Sequence, residues 1–252
     1  MSWPYPLWIA HRGAGKLAPE NTLAAFRHGA SFGYRAFECD VKLSRDGQPF
    51  LLHDATLDRT TDGQGVAGEQ TWSALSRLDA GGWHSRAYAG EPLPTLEAIA
   101  GYVLRNGFML NVEIKPTPGT ESLTGAVVSR RCAELWATSR IPPVAPPLLT
   151  SFRPAALQAA LAAQPELPRG LLLDRWPEDG IAQAQALQCA AVVAQYDLLD
   201  RSSIEAIHAA GMKALAYTVN DPAEARRLIS LGIDGLITDA VDRFSPGPGV
   251  HD

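Results

Sequence analysis

Short apolar runs alternate with helix-like stretches along nearly all of this chain, and that alternation limits the fold more than any other feature. Runs at Leu7–His11, Arg35–Leu43, Phe108–Ile114, Leu148–Phe152, Gly170–Leu173, Ala190–Gln195, Ala214–Val219 and Gly235–Thr238 read as strands. A helical segment opens at Asn21 or Thr22 as N-cap and runs to Ser31, and others fall at about 121–138, 154–163, 178–188, 202–210 and 222–231. The strands are apolar almost throughout, as strands covered on both faces must be. Strict βα alternation implies parallel pairing, and eight units imply a closed (β/α)8 barrel of the TIM type. The rival, an open doubly wound sheet, calls for a GxGxxG turn after its first strand, and none stands there.

One region breaks the pattern. A further extended run at Pro49–His53 follows the turn Ser44-Arg-Asp-Gly47, and from about 55 to 107 Gly, Thr, Asp and Pro are frequent. Only Trp72–Leu78 and Leu96–Leu104 look helical there. We therefore expect one domain over 1–252, with a small insertion after the second strand. At 252 residues with 46% hydrophobic and 19% charged side chains, the chain can bury a full core unaided. A net charge of −5 gives no electrostatic footprint for nucleic acid or an anionic membrane. Cys39, Cys132 and Cys189 are odd in number and lack a CxxC, which argues against disulfides and zinc and for a reducing compartment. The N-terminus lacks a basic, then apolar, leader pattern, so the expectation is a cytoplasmic protein without stable membrane association.

In such a barrel the site lies where the strands exit at their C-terminal ends. Strand one exits in His11-Arg12, strand two carries Glu38-Cys-Asp40, and the extended run after it ends in His53. Strand three ends in Glu113-Ile-Lys115, and the seventh carries Tyr217. Period two turns Glu38 with Asp40, and Glu113 with Lys115, to a common side. Three converging carboxylates call for a cation, and all-oxygen ligands suit one hard divalent ion, Mg2+ or Ca2+. With such an ion, Arg12 and Lys115 leave one net positive charge, which a phosphodiester monoanion neutralises. His11 and His53 then suit general acid and base roles. Taken singly, each residue also fits a bland place: a core histidine, a salt-bridged Glu-x-Asp pair, a Glu113–Lys115 ion pair. Their convergence on one face favours a catalytic site.

The ordered set His11-Arg-Gly13, Pro19-Glu-Asn-Thr22, Glu38-Cys-Asp40, His53-Asp-Ala-Thr-Leu-Asp-Arg-Thr-Thr61, Leu78-Asp-Ala-Gly81, Pro94-Thr-Leu-Glu97, Asn111-Val-Glu-Ile-Lys115, Thr218-Val-Asn220 and Asp234-Gly-Leu-Ile-Thr-Asp239 resembles the glycerophosphodiester phosphodiesterases of the bacterial cytoplasmic type, over about residues 7–240. The resemblance implies a barrel with an insertion after strand two, and metal-dependent hydrolysis of glycerophosphodiesters to sn-glycerol 3-phosphate and an alcohol. It implies His11 and His53 as the acid/base pair, Glu38, Asp40 and Glu113 as metal ligands, and Arg12 and Lys115 as phosphate-binding residues. Tyr217 stands where the family commonly has Trp, and its inward ring is a candidate substrate contact. The nucleophile is either the neighbouring glycerol hydroxyl or water. The expected partner is a small-molecule glycerophosphodiester, and a homo-oligomer is compatible with the sequence. Two alternatives stay open: a lysophospholipase D, for which Trp72, Trp83, Tyr88 and Trp176 supply candidate groove residues, and a non-catalytic barrel that binds glycerophosphate groups. A Schiff-base role for Lys115 would leave the carboxylates unexplained.

Overall fold

The protein is described from a computed structural model over residues 3–138 and 144–246. Its strands are β1 (Trp8–Ala10), β2 (Ala36–Leu43), β3 (Pro49–Leu51), β4 (Met109–Ile114), β5 (Leu148–Ser151), β6 (Arg169–Leu173), β7 (Ala191–Gln195), β8 (Lys213–Tyr217) and β9 (Gly235–Thr238). All except β3 pair in parallel, in the order β1-β9-β8-β7-β6-β5-β4-β2. Ala10 of β1 pairs Phe37 of β2, and this closes the ring at eight strands. The (β/α)8 barrel expected from alternation is the fold, and the doubly wound alternative falls with that closure. β3 pairs antiparallel with β2 through the predicted Ser44–Gly47 turn.

The helices are α1 (Leu23–Ser31), α2 (Trp72–Leu75), α3 (Leu96–Asn106), α4 (Glu121–Ala137), α5 (Pro154–Ala163), α6 (Gly180–Ala186), α7 (Arg201–Ala209) and α8 (Pro222–Ser230). Thr22 is the N-cap of α1, its hydroxyl accepting from the Ala25 amide. Asn21 is thereby freed for another task. The expected insertion at about 55–107 includes α3, yet α3 sits in the barrel shell. Its buried stripe Leu96, Ile99 and Val103 joins the core shared by β2, β4 and α4. The excursion proper ends near Thr95, and it carries a small core of its own around Phe50, Leu57, Leu75 and Leu93.

Side-chain alternation divides the barrel into an outside and a lumen. On β2, Phe37, Cys39, Val41 and Leu43 join the apolar layer under the helices. Cys39 is completely buried there, away from the carboxylates on either side of it. The lumen is apolar at its lower end, where Ile9, Ala36, Leu148, Leu172, Val193, Leu215 and Ile237 pack together, with Trp3 and Tyr5 beneath. Above that layer β2 and β4 change character, and the inward positions become Glu38, Asp40, Asn111 and Glu113. A polar layer on an apolar plug is thus the geometric result of two strands whose inward residues turn charged partway along.

Candidate active site

The polar layer is set by strand register. Asp40 of β2 stands beside Glu113 of β4, and Glu38 beside Asn111. One carboxylate oxygen from each of Glu38, Asp40 and Glu113 lies within 4.8 Å of the others, and all three residues are buried. Burial raises the Glu38 carboxyl well above its ordinary value, and the charges of Asp40 and Glu113 add to it. Burial and Asp40 push Glu113 up to about 7, against the opposing pull of Lys115. Asp40 is also buried, but Lys115 and Arg12 hold it well below the usual carboxylate range. Two protein cations therefore neutralise only part of the cluster. An under-neutralised, all-oxygen pocket of this size is a set that can hold a metal ion.

The cations approach from two sides. Lys115 Nζ lies 3.0 Å from Glu113 Oε1 and 3.3 Å from Asp40 Oδ1. Arg12 has a positive φ of 51°, which turns its amide onto Glu38 Oε2 at 3.0 Å. Its Nη1 meets Glu20 Oε1 at 2.8 Å, and its buried Nε lies 3.4 Å from Asp40 Oδ2, within ion-pair reach but without a hydrogen bond. That contact brings the positive charge of Arg12 to the rim of the carboxylate cluster.

Each histidine is held through Nδ1 by a carboxylate. His11 Nδ1 meets Asp239 Oδ1 at 2.6 Å, and its Nε2 lies 3.7 Å from Glu38 Oε2. His53 Nδ1 meets Asp54 Oδ1 at 2.7 Å. A carboxylate accepts only, so Nδ1 donates in both neutral rings and Nε2 is left free. Burial lowers the His53 imidazole from its ordinary value; Asp40 opposes this, and Arg12 and Lys115 reinforce it. A lumen pocket of about 140 Å3 is lined by His11, Arg12, Glu38, His53, Glu113 and Lys115. Tyr217 lines it too, its hydroxyl donating to the Leu173 carbonyl at 3.0 Å and its ring edge-on to Phe152. Asp40 reaches the same place through its contacts with Arg12 and Lys115. All eight sequence-predicted residues are brought together at one end of the barrel.

Sequence reasoning missed the residues that hold these groups. Asn21, with φ 59°, doubles back onto Asp40: its amide nitrogen donates to Oδ2 at 2.8 Å, and its carbonyl oxygen accepts the Asp40 amide at 3.0 Å. Asp239 follows β9 as His11 follows β1, and the Ala10–Thr238 pairing sets them side by side. Barrel closure alone carries that signal. Arg59 clamps Asp54 and Glu20 together, with four contacts between 2.6 and 2.9 Å. It lies in the Thr-Leu-Asp-Arg-Thr stretch, whose spacing alone says nothing of its reach. Asn111 also faces the lumen, its Oδ1 accepting from Thr150 and its buried Nδ2 unpartnered.

This geometry has relatives. Residues 11–243 match the model of the glycerophosphoryl diester phosphodiesterase family. A glycerophosphodiester phosphodiesterase of Caldanaerobacter subterraneus is 32% identical over 92% of this chain and 93% of its own. One from Bacillus subtilis is 29% identical over 94% and 85%. A phosphodiesterase of Oleispira antarctica, solved in complex with the product sn-glycerol-3-phosphate, superposes with a TM-score of 0.86 and 36% identity, covering 93% of each chain. With a family match across nearly the whole barrel and a relative above 30% identity over 93% of its length, this chain belongs to the glycerophosphoryl diester phosphodiesterase family.

Proposed function

We propose that the protein hydrolyses glycerophosphodiesters to sn-glycerol 3-phosphate and an alcohol, with a divalent cation at Glu38, Asp40 and Glu113 and with His11 and His53 as acid and base. The observation that carries this reading is the meeting of three buried carboxylates, two carboxylate-held histidines and two cations in one lumen pocket. The cation, Mg2+ or Ca2+ by the hardness of its ligands, supplies polarisation of the phosphoryl oxygen and partial charge neutralisation. The Arg12 guanidinium and Lys115 Nζ grip the non-bridging oxygens. One free Nε2 takes the proton of the attacking hydroxyl, from water or from the neighbouring glycerol carbon, as the oxygen–phosphorus bond forms; attack by the glycerol hydroxyl gives a cyclic phosphate that water then opens. The other histidine, as the imidazolium, gives its Nε2 proton to the departing alkoxide as the alkoxide's bond to phosphorus breaks. Asp239 and Asp54 keep both rings in the tautomer this exchange needs.

A lysophospholipid substrate would need an apolar wall. Trp72 instead packs on the insertion's own core, Tyr88 on the main core and Trp176 on the core under α6–α8. None of these, nor Trp83, lines the pocket or the cavity beside it among the described residues. The cavity beside the pocket does carry Ile114, Phe152, Leu171, Leu172 and Leu173, so turnover of a lyso-acyl analogue beside glycerophosphocholine decides between a deacylated substrate and a lysophospholipid. Three free, buried cysteines support a reducing, cytoplasmic setting. The test is turnover of glycerophosphocholine and other glycerophosphodiesters after chelation and re-addition of Mg2+, Ca2+ or Mn2+. Activity should require an added cation and fall at least ~1,000-fold in His11→Ala, His53→Ala and Glu113→Gln. Undiminished turnover in all three variants would overturn the reading, and tight binding without turnover would favour a non-catalytic barrel.

A further inference from the structure

β2 carries a third inward charge that the hydrolytic chemistry leaves unused. Period two places Lys42 on the face of Glu38 and Asp40, one step further toward the mouth. Its side chain is 3% exposed, a rare place for a lysine. One of its three N–H donors reaches the Lys115 carbonyl at 3.3 Å. No carboxylate of the described residues comes within 4.0 Å of its Nζ. Two donors on an ammonium without a contacting carboxylate thus remain to be met by something that enters.

Lys42 lines a second, larger cavity of about 900 Å3, which shares His53, Glu113 and Lys115 with the lumen pocket and opens over the ends of β5 and β6. Arg153 and Arg175 line the same wall, and neither has a side-chain partner within ion-pair distance among the described residues. Asp174 and Asp179 also line it and, like Arg153 and Arg175, are exposed at the rim, whereas Lys42 lies deep. At depth this wall carries Lys42 and Lys115 against Glu113, and with Lys115 paired to Glu113 the charge of Lys42 is the one left facing the cavity. The glycerol phosphate part is small and constant and suits the narrow lumen pocket. The alcohol varies in size, so only the larger cavity can receive it.

Resting on the phosphodiesterase reading above, we propose that the cavity over β5 and β6 is the subsite for the leaving alcohol, and that Lys42, aided by Arg153 and Arg175, selects alcohols bearing an anionic group such as a carboxylate. Glycerophosphoserine and glycerophosphoethanolamine isolate the effect, because they differ by one carboxylate. The wild type should show the higher kcat/KM on the serine diester. The serine-to-ethanolamine ratio should fall about tenfold in Lys42→Met, the loss of one partly screened charge contact. It should fall by a smaller factor in Arg153→Gln/Arg175→Gln, which also decides the matter if Lys42→Met fails to fold. A ratio unmoved in these variants, or a wild-type preference for ethanolamine, overturns the subsite alone. Cleavage of neither diester overturns the underlying hydrolytic reading with it.

Discussion

Replacing Gly15 by alanine should cripple turnover while leaving the barrel folded. Gly15 has φ +57°, and a Cβ built there would stand 2.2 Å from both the Cα and the carbonyl oxygen of Asp239. Ordinary contact begins near 3.4 Å, so the two backbones must part by about 1.2 Å. Backbone on both sides leaves no flexible side chain to absorb the shift. Asp239 is the residue whose Oδ1 holds His11 Nδ1 at 2.6 Å, so a shift of that size breaks or bends this hydrogen bond. A displacement of ~1 Å in a positioned group costs on the order of 100-fold in rate. Left-handed backbone adds a strain of ~1–2 kcal/mol for an alanine. Gly119→Ala separates the two effects: its φ is +86°, yet nothing lies within 4 Å of the added carbon. Steady-state hydrolysis of glycerophosphocholine, with melting temperatures for both variants, makes the comparison. Gly15→Ala should lose about 100-fold in kcat with far-UV circular dichroism unchanged, while Gly119→Ala should lose only stability. A Gly15→Ala enzyme within twofold of wild type would refute the claim that Asp239 must be held where it is for His11 to act.

Three further outcomes follow from the network around the site. Arg59→Ala frees Asp54 and Glu20 at once, and with them the settings of His53 and Arg12; kcat should drop about tenfold at a cost of only ~1 kcal/mol in stability, because the guanidinium is half exposed, and Arg59→Lys should not restore it because lysine lacks the fork. Chelation should lower the melting temperature, because three carboxylates within 4.8 Å then repel across a pocket that Arg12 and Lys115 only partly neutralise; a cation at about 100 times its Kd stabilises by ~2.7 kcal/mol, or roughly 5–10 °C here, and an unchanged midpoint in calorimetry would argue against a cation at that cluster. His53 already titrates below its ordinary value through burial, and its hydrogen bond to Asp54 works against that; Asp54→Asn removes the opposing contact, so the ring should titrate lower still, and a ring NMR titration moving upward would refute the assignment.

The barrel was legible in the sequence because one physical rule, burial of both strand faces, acts on every unit in the same way. The eight apolar runs and their spacing leave a closed ring as the consistent solution, and period two then places Glu38, Asp40, Glu113 and Lys115 on the lumen side. The end of the insertion was less legible. Leu96–Leu104 reads as a helix, and Leu96, Ile99 and Val103 carry its buried stripe, but a stripe alone does not say that the helix belongs to the barrel shell rather than to the insertion. What the sequence hid were the holding residues, and for a common cause. Asn21, Asp239 and Arg59 act across loops, and their partners are fixed by barrel closure, by positive φ at a turn, or by the reach of a long side chain. None of these leaves a periodic trace.

That division has a physical origin in how the polar layer is supported. An apolar lumen stabilises a barrel through packing alone, and the lower layer of Ile9, Leu148, Leu172 and Leu215 does so here. The layer above replaces such residues with three carboxylates, which in isolation would each carry a heavy desolvation penalty. Glu38 and Asp40 are met from outside their own strand, Glu38 by the Arg12 amide and Asp40 by Asn21, Arg12 and Lys115, while Glu113 is met by Lys115 two positions along. The partners on the β1–α1 loop can reach inward only because Arg12 and Asn21 adopt left-handed backbone and Gly15 lies hard against Asp239. Arg59 then ties that loop, through Glu20, to the Asp54 beside His53. The β1–α1 loop is therefore the element on which both the charge balance and both histidines depend, and its strained residues are as much a part of the site as the groups that touch substrate.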